Sequence, residues 1–215
     1  MYRVLLFDLD GTLTDPEEGI TRSVQYALAA FGIREERREL LLQYIGPPLV
    51  DSFMDESGLT RAQAELAVVK YRERYTARGV FENRILPGIP SLLADLRAAG
   101  FILCVATSKP DFYTLQILER YGIMKYFDFV GAATLDGSVS RKAEVIDLVL
   151  AHFPDEAREE FVMIGDRKED ILGAKECGIA SVGVRFGYAR PGELEAAGAD
   201  RIADTVADLK RILTE

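Results

Sequence analysis

Five short apolar runs recur along the chain: Val4 to Phe7, Phe101 to Ala106, Phe127 to Val130, Phe161 to Ile164 and Ala180 to Val184. Each is followed by a stretch in which apolar positions return at helical spacing. Runs of this length alternating with helices predict buried parallel strands, hence an α/β fold with an open, mostly parallel sheet flanked by helices. The stretch from Pro16 to about Ile85 breaks the rhythm, with helical patterns and no convincing strand. It reads as an all-helical insertion, residues 16–85, in a core built from residues 1–15 and 86–215. The joints fall near Thr14-Asp15-Pro16 and Asn83 to Gly88.

Within the insertion, Ile20, Val24, Ala27, Leu28 and Phe31 form one helical stripe. Thr60 with Gln63 resembles a capping box opening a second helix, which carries Ala62, Leu66 and Val69 on one side. Gly46-Pro47-Pro48, followed by Leu49, punctuates the insertion with a stiff turn. That turn, with Arg22 on the first insertion helix, is the expected source of substrate discrimination.

Composition narrows the function classes. The chain is 48% hydrophobic and 28% charged, as a packed globular protein should be. Its net charge of -9 repels nucleic acid and anionic membranes, so an anionic substrate needs a local positive site. Two cysteines, Cys104 and Cys177, lack metal-ligand spacing and read as reduced thiols. The early charge at Arg3 and the absence of a long apolar stretch point to a cytoplasmic protein with no membrane partner.

Three predicted strands end in a polar residue at the same relative place: Phe7 before Asp8, Ala106 before Thr107, and Ile164-Gly165 before Asp166. In a parallel sheet these carboxyl ends share one edge, where ligands bind. Alternation puts Asp8 and Asp10 on the same side, and Gly11 lets the chain turn at once. Paired carboxylates there suit a nucleophile and an acid/base beside a metal; alone, the Asp-Gly step would also serve as a solvated turn. Thr107-Ser108-Lys109-Pro110 reads as a strand running into a helix, with hydroxyls and free N–H groups for a phosphate or, equally, for a plain cap.

Lys142 opens a predicted helix, where a cation opposes the helix dipole and so suggests a use in neutralising phosphate and Asp8. Asp166 and Asp170 bracket the start of another helix and can meet around one hard cation. Oxygen-only ligands of this kind suit Mg²⁺. Lys109, Arg167 and Lys168 read as solvated, and His152, the single histidine, as a helix-end residue.

Taken in order, Asp8 to Thr12 as D-x-D-G-T, Thr107-Ser108, Lys142, and Gly165-Asp166 with Asp170 resemble the four motifs of the haloacid dehalogenase-like hydrolase superfamily. The insertion resembles the C1-type cap of its phosphoglycolate phosphatase and 5′-nucleotidase-like branch. The resemblance implies a Rossmann-like core and a Mg²⁺-dependent phosphomonoesterase acting on a small phosphorylated metabolite, as a monomer or weak homodimer. It further implies that Asp8 is the nucleophile and Asp10 the acid/base. Mg²⁺ would be bound by the Asp8 carboxylate, the Asp10 carbonyl and Asp166, with Asp170 as ligand or supporting partner. Thr107, Ser108 and Lys142 would hold phosphate.

Asp10 disfavours a dehalogenase, which lacks the second carboxylate. The lack of a histidine between Asp15 and Ile85 disfavours a β-phosphoglucomutase-like enzyme. A non-catalytic protein on the same fold would not require both Asp8 and Asp10. Phosphoglycolate, a nucleoside 5′-monophosphate, another sugar phosphate and a phosphotyrosine-like ester all remain open as substrates.

Overall fold

The computed structural model describes residues 2–215. Two compact units divide the chain: Met1–Thr14 with Ile85–Glu215, and Asp15–Arg84. The crossings between them are two short strands, β2 (Thr14–Asp15) and β3 (Arg84–Ile85), which pair with each other.

The larger unit is built on β1 (Val4–Phe7), β4 (Ile102–Pro110), β5 (Phe129–Ala133), β6 (Phe161–Gly165), β7 (Ala180–Val184) and β8 (Arg201–Ala203). They form one sheet in the order β5-β4-β1-β6-β7-β8, and every pairing is parallel. The mostly parallel sheet expected from the apolar runs is therefore present. It carries one strand more than those runs announced: β8 has a single large apolar residue, Ile202, and its pairing with β7 comes from tertiary context.

Helices cover the sheet. They are α4 (Ile89–Ala98), α5 (Asp111–Arg120), α6 (Lys142–His152), α7 (Lys168–Cys177), α8 (Glu193–Ala197) and α9 (Val206–Thr214). Alternation sorts the strand residues between the two faces. Val4, Leu6, Cys104, Ala106, Phe161 and Met163 pack with Val145, Ile146 and Val149 of α6 and Ala174 and Cys177 of α7 in one buried cluster. Leu5, Phe7, Leu103, Val105, Val162 and Ile164, the alternate set, are equally buried. A Leu or Val sealed in this way contributes about 1.5–3 kcal/mol.

The smaller unit is helical: α1 (Glu17–Ala29), a 3-10 turn (Arg38–Tyr44), α2 (Leu49–Ser57) and α3 (Arg61–Ala77). The Thr60–Gln63 capping box forms as expected, and Ile20, Val24, Ala27 and Leu28 are the buried stripe of α1. Phe31 lies beyond the end of α1 and is half-buried. The expected apolar side of α3 is corrected: Leu66 and Val69 face solvent, and Ala64, Ala67, Val68, Tyr71 and Tyr75 are buried. Both sets recur at helical spacing, and packing of α3 on α1 and α2 decides between them. Among the described residues, no helix is long and apolar enough to cross a membrane.

Candidate active site

β1 is the centre of the sheet, with β4 on one side and β6 on the other, so the chain changes direction of winding here. In register, Phe7 pairs with Val105 and with Ile164, and the Asp8 N–H donates to the Ile164 carbonyl at 2.9 Å. In this register Asp8, Thr107 and Asp166 come out at one edge of the sheet within one residue of level, although β4 itself runs on beyond its neighbours. After Asp8 the chain turns tightly. The N–H groups of Leu13 and Thr14 both donate to the Leu9 carbonyl, and Gly11 takes a left-handed φ of 82°.

Oxygens of Asp8, Asp166 and Asp170 lie within 4.8 Å of one another, and all three residues are buried. Gly11, Gly165 and Gly187 make the room. A Cβ on Gly11 would stand 2.1 Å from Asp166 Oδ2, one on Gly165 would stand 2.1 Å from Asp170 Oδ2, and one on Gly187 would stand 2.4 Å from Asp166 Oδ2. Asp166 also accepts from the Tyr188 N–H at 2.7 Å, and Asp170 Oδ2 from the Arg167 N–H at 3.0 Å.

Lys142 is buried on the first turn of α6, and its Nζ bridges two of the carboxylates. It donates to Asp8 Oδ1 at 2.8 Å and to the Ala106 carbonyl at 2.9 Å, and ion-pairs with Asp170 Oδ1 at 2.8 Å. The Asp170 contact has ion-pair distance without hydrogen-bond alignment. Burial would lower the Lys142 pKa, but the charges of Asp170 and Asp8 outweigh it and hold the ammonium protonated.

The Asp166 carboxyl is pushed well above its usual range, first by burial and then by the charges of Asp170 and Asp8. The Asp170 carboxyl is raised by burial, against the opposing pull of Lys142. Ionised, as cation ligands must be, these three carboxylates facing one ammonium would leave two negative charges uncompensated, a repulsion that adds to burial in raising the Asp166 and Asp170 carboxyls. An all-oxygen, buried donor set with that deficit fits a hard divalent cation such as Mg²⁺.

Two expectations are corrected. Lys109 is buried, not solvated, and its Nζ pairs with Asp10 Oδ2 at 2.5 Å. Arg167 is buried too, with Nε donating to Glu193 Oε1 at 2.9 Å, whereas Lys168 is exposed as expected. The strand–helix junction also lies later than expected. β4 continues through Pro110, α5 begins at Asp111, and neither Ser108 nor Lys109 caps it; Thr107 Oγ1 instead accepts from the Lys109 N–H at 3.2 Å. Continuing the strand's alternation past Thr107 would have put Lys109 on the same side as Thr107, a signal present in the sequence.

The Asp10 carboxylate is thus tied to Lys109, while Asp8 is tied to Lys142. Burial raises the Asp10 carboxyl above its usual range despite the Lys109 charge. His152 ends α6, exposed and stacked on Phe129 at 4.1 Å. In the helical unit, Arg22 is exposed and ion-paired with Glu18 at 2.8 Å. Gly46, Pro47, Pro48 and Leu49 lead from the 3-10 turn into α2, with Leu49 as its first residue.

The haloacid dehalogenase-like hydrolase family model matches residues 5–184. The chain is 43% identical to a 5′-nucleotidase of Pseudomonas aeruginosa, over 99% of its own length and 96% of the relative's. It is 41% identical to the tyrosine-protein kinase PtkA of Mycobacterium tuberculosis over 188 residues, 87% of this chain and 64% of PtkA. A crystal structure of a predicted phosphatase from Clostridium acetobutylicum superposes with a TM-score of 0.96 at 41% identity, covering 100% of this chain and 99% of that one.

Proposed function

Because the chain belongs to the haloacid dehalogenase-like hydrolase family and is a phosphoric monoester hydrolase, we propose that it hydrolyses a small phosphorylated metabolite through a phosphoryl group carried on Asp8. The observation that carries this reading is the buried convergence of Asp8, Asp166 and Asp170 with Lys142 bridging two of them. Such a site supplies what phosphoryl transfer needs, which is in-line positioning and charge neutralisation.

In the first step an Asp8 oxygen attacks phosphorus while Asp10 gives a proton to the departing ester oxygen. In the second, Asp10 takes a proton from water as that water attacks the aspartyl phosphate and frees Asp8. Thr107, Ser108 and Lys142 hold the phosphate oxygens. Mg²⁺, held by the Asp8 carboxylate, the Asp10 carbonyl and Asp166 with Asp170 beside it, would offset the negative charge of carboxylates and phosphate. A nucleoside 5′-monophosphate is the first substrate class to test, on the likeness to the Pseudomonas 5′-nucleotidase, and phosphoglycolate is the second. The reading places the enzyme in the cytoplasm as a monomer or weak homodimer, consistent with a net charge of -9 that disfavours nucleic-acid and membrane partners.

The test is phosphate release from a panel of esters with Mg²⁺ and with EDTA, for the wild type and Asp8→Asn. Activity that needs Mg²⁺ and vanishes in a folded Asp8→Asn protein is expected. Undiminished release in EDTA, or from Asp8→Asn, would sink the scheme. The likeness to PtkA makes a tyrosine hydroxyl the competing acceptor to water. Incubation with labelled ATP and a tyrosine peptide separates the two, since label would then appear on the peptide instead of as free phosphate.

A further inference from the structure

Asp10 uses its two carboxylate oxygens unequally. Oδ2 is paired with Lys109 Nζ at 2.5 Å, and both side chains are nearly sealed from solvent. Oδ1, equally buried, has no hydrogen-bond partner among the described residues. A buried, unpartnered carboxylate oxygen costs free energy unless something fills the vacant contact. The neighbouring groups are already committed elsewhere: Lys142 to Asp8 and Asp170, and Thr12 Oγ1 towards Asp166 at 3.4 Å.

We propose that Lys109 is a positioning residue for the phosphatase reaction, fixing Asp10 through Oδ2 so that Oδ1 is the oxygen that exchanges a proton with the leaving group and then with water. The inference rests on the reading of Asp10 as the acid/base. Both steps balance with Oδ1 as the proton site. As Asp8 bonds to phosphorus and the P–O ester bond breaks, the electron pair left on the ester oxygen takes the proton from Oδ1. The Asp10 carboxylate then remains paired with the Lys109 ammonium. When water attacks the aspartyl phosphate, its proton returns to Oδ1. Lys109 itself touches neither the ester oxygen nor the water.

A lysine reaches this place because β4 runs on past Thr107. The Lys109 N–H donates to Thr107 Oγ1, and Thr114 on α5 donates to the Lys109 carbonyl at 3.3 Å. The residue is thus held on its own strand and at the following helix. Its side chain crosses to the loop after β1, tying the acid/base to the strand that presents the phosphate-binding hydroxyl.

The experiment compares Lys109→Met, Lys109→Arg and Asp10→Asn on an alkyl phosphate and on p-nitrophenyl phosphate, with Tm recorded for each. A general acid contributes about 10²–10⁴-fold, and chiefly for poor leaving groups. Lys109→Met is therefore expected to lower kcat on the alkyl ester by roughly 10-fold or more, and on the nitrophenyl ester by about 3-fold or less, with KM little changed. Lys109→Arg, which keeps donor and charge, should recover part of the loss. Adding Lys109→Met to Asp10→Asn should bring no further loss on the alkyl ester, and this double variant also removes the buried pair together should Lys109→Met alone fold poorly. Equal losses on both esters, or a raised KM for both, would overturn the proposal in favour of packing or direct phosphate binding. If Asp10→Asn shows the leaving-group dependence and Lys109→Met does not, only the role of Lys109 fails. If Asp10→Asn lacks it, the acid/base reading fails and this inference with it.

Discussion

Gly173 on α7 passes Lys142 so closely that a Cβ on it would stand 2.8 Å from Lys142 Cγ and 3.0 Å from Lys142 Cβ. Two helices meet at that point, and the glycine fixes where the bridging ammonium sits. In an exposed helix Gly→Ala gains about 1 kcal/mol. Here the near end of a buried side chain must move, and overpacking of this kind costs about 1–3 kcal/mol. Gly173→Ala is expected to lower both Tm and kcat, the latter because the Lys142 contacts with Asp8 and Asp170 lengthen. A thermal scan and steady-state kinetics decide it; a higher Tm with unchanged kcat would show that α6 and α7 absorb the methyl freely.

Arg167 and Glu193 form the buried pair that joins the start of α7 to α8. Glu193 also accepts from the Lys168 and Arg190 N–H groups, each at 3.0 Å. Burial would raise the Glu193 pKa, but the Arg167 and backbone hydrogen bonds outweigh it and hold the carboxyl below the usual range. A carboxylate depressed in the folded state stabilises fully above its unfolded pKa, about 4.3, and that stability is lost as pH falls through the folded value. Glu193→Gln removes one buried counter-charge of Arg167 and is expected to destabilise by up to about 3–5 kcal/mol at pH 7, with the gap to wild type narrowing below about pH 4. Denaturant melts at both pH values measure this. A constant gap would assign the effect to shape alone.

Asp166 is a third buried carboxyl group beside Asp8 and Asp170, and burial together with their charges disfavours its ionised form. Without a cation the cost of burying that group, ionised or protonated, opposes folding, so in EDTA Asp166→Asn is expected to raise Tm, by about 2–4 °C per kcal/mol relieved. The same change removes a proposed ligand. Added Mg²⁺ should raise the wild-type Tm and leave that of the variant nearly where it was. A lower Tm for the variant in EDTA would mean that its hydrogen bond from Tyr188 matters more than the cost of burial.

The sequence patterns that survived folding were those that one continuous run of residues carries whole. Val4 to Phe7 and Phe161 to Ile164 are apolar throughout because both faces of a parallel sheet are covered, and the polar residue that ends each run marks the ligand edge. Lys109 was misread because Ser-Lys-Pro looks like a helix start, while the pairing of β4 with β5 carries the strand to Pro110. Leu66 and Val69 on α3 were misread for a different reason: two stripes fit the helical period, and packing of α3 on α1 and α2 buries the one built from Ala64, Ala67, Val68, Tyr71 and Tyr75. Gly173 and Gly187 gave no local signal, since their need for small size comes from residues distant in sequence. The glycines that crowd the acidic cluster are legible only once the strands are paired.

The last prediction concerns specificity. Asp8, Thr107, Lys142 and Asp166 are proposed to meet phosphate and metal, which every candidate ester shares, so discrimination must come from groups that reach the remainder of the substrate. The expected source is Gly46-Pro47-Pro48-Leu49. Gly46 takes a φ of 108°, open to glycine, and Pro48 sits at the cap position directly before Leu49 opens α2. A segment stiffened by two prolines loses little entropy on binding. Arg22 is a weaker candidate, since it is already ion-paired with Glu18 on its own helix. Leu49→Ala and Pro48→Gly are therefore expected to reorder kcat/KM across a panel of nucleoside monophosphates, phosphoglycolate and sugar phosphates by about 10-fold, the size of one or two kcal/mol of differential contact. Acetyl phosphate, which offers little beyond its phosphate, should change by less than about 2-fold on the same scale. An equal loss on every ester, acetyl phosphate included, would show that the turn supports the fold of the helical unit and leaves the choice of substrate to other residues.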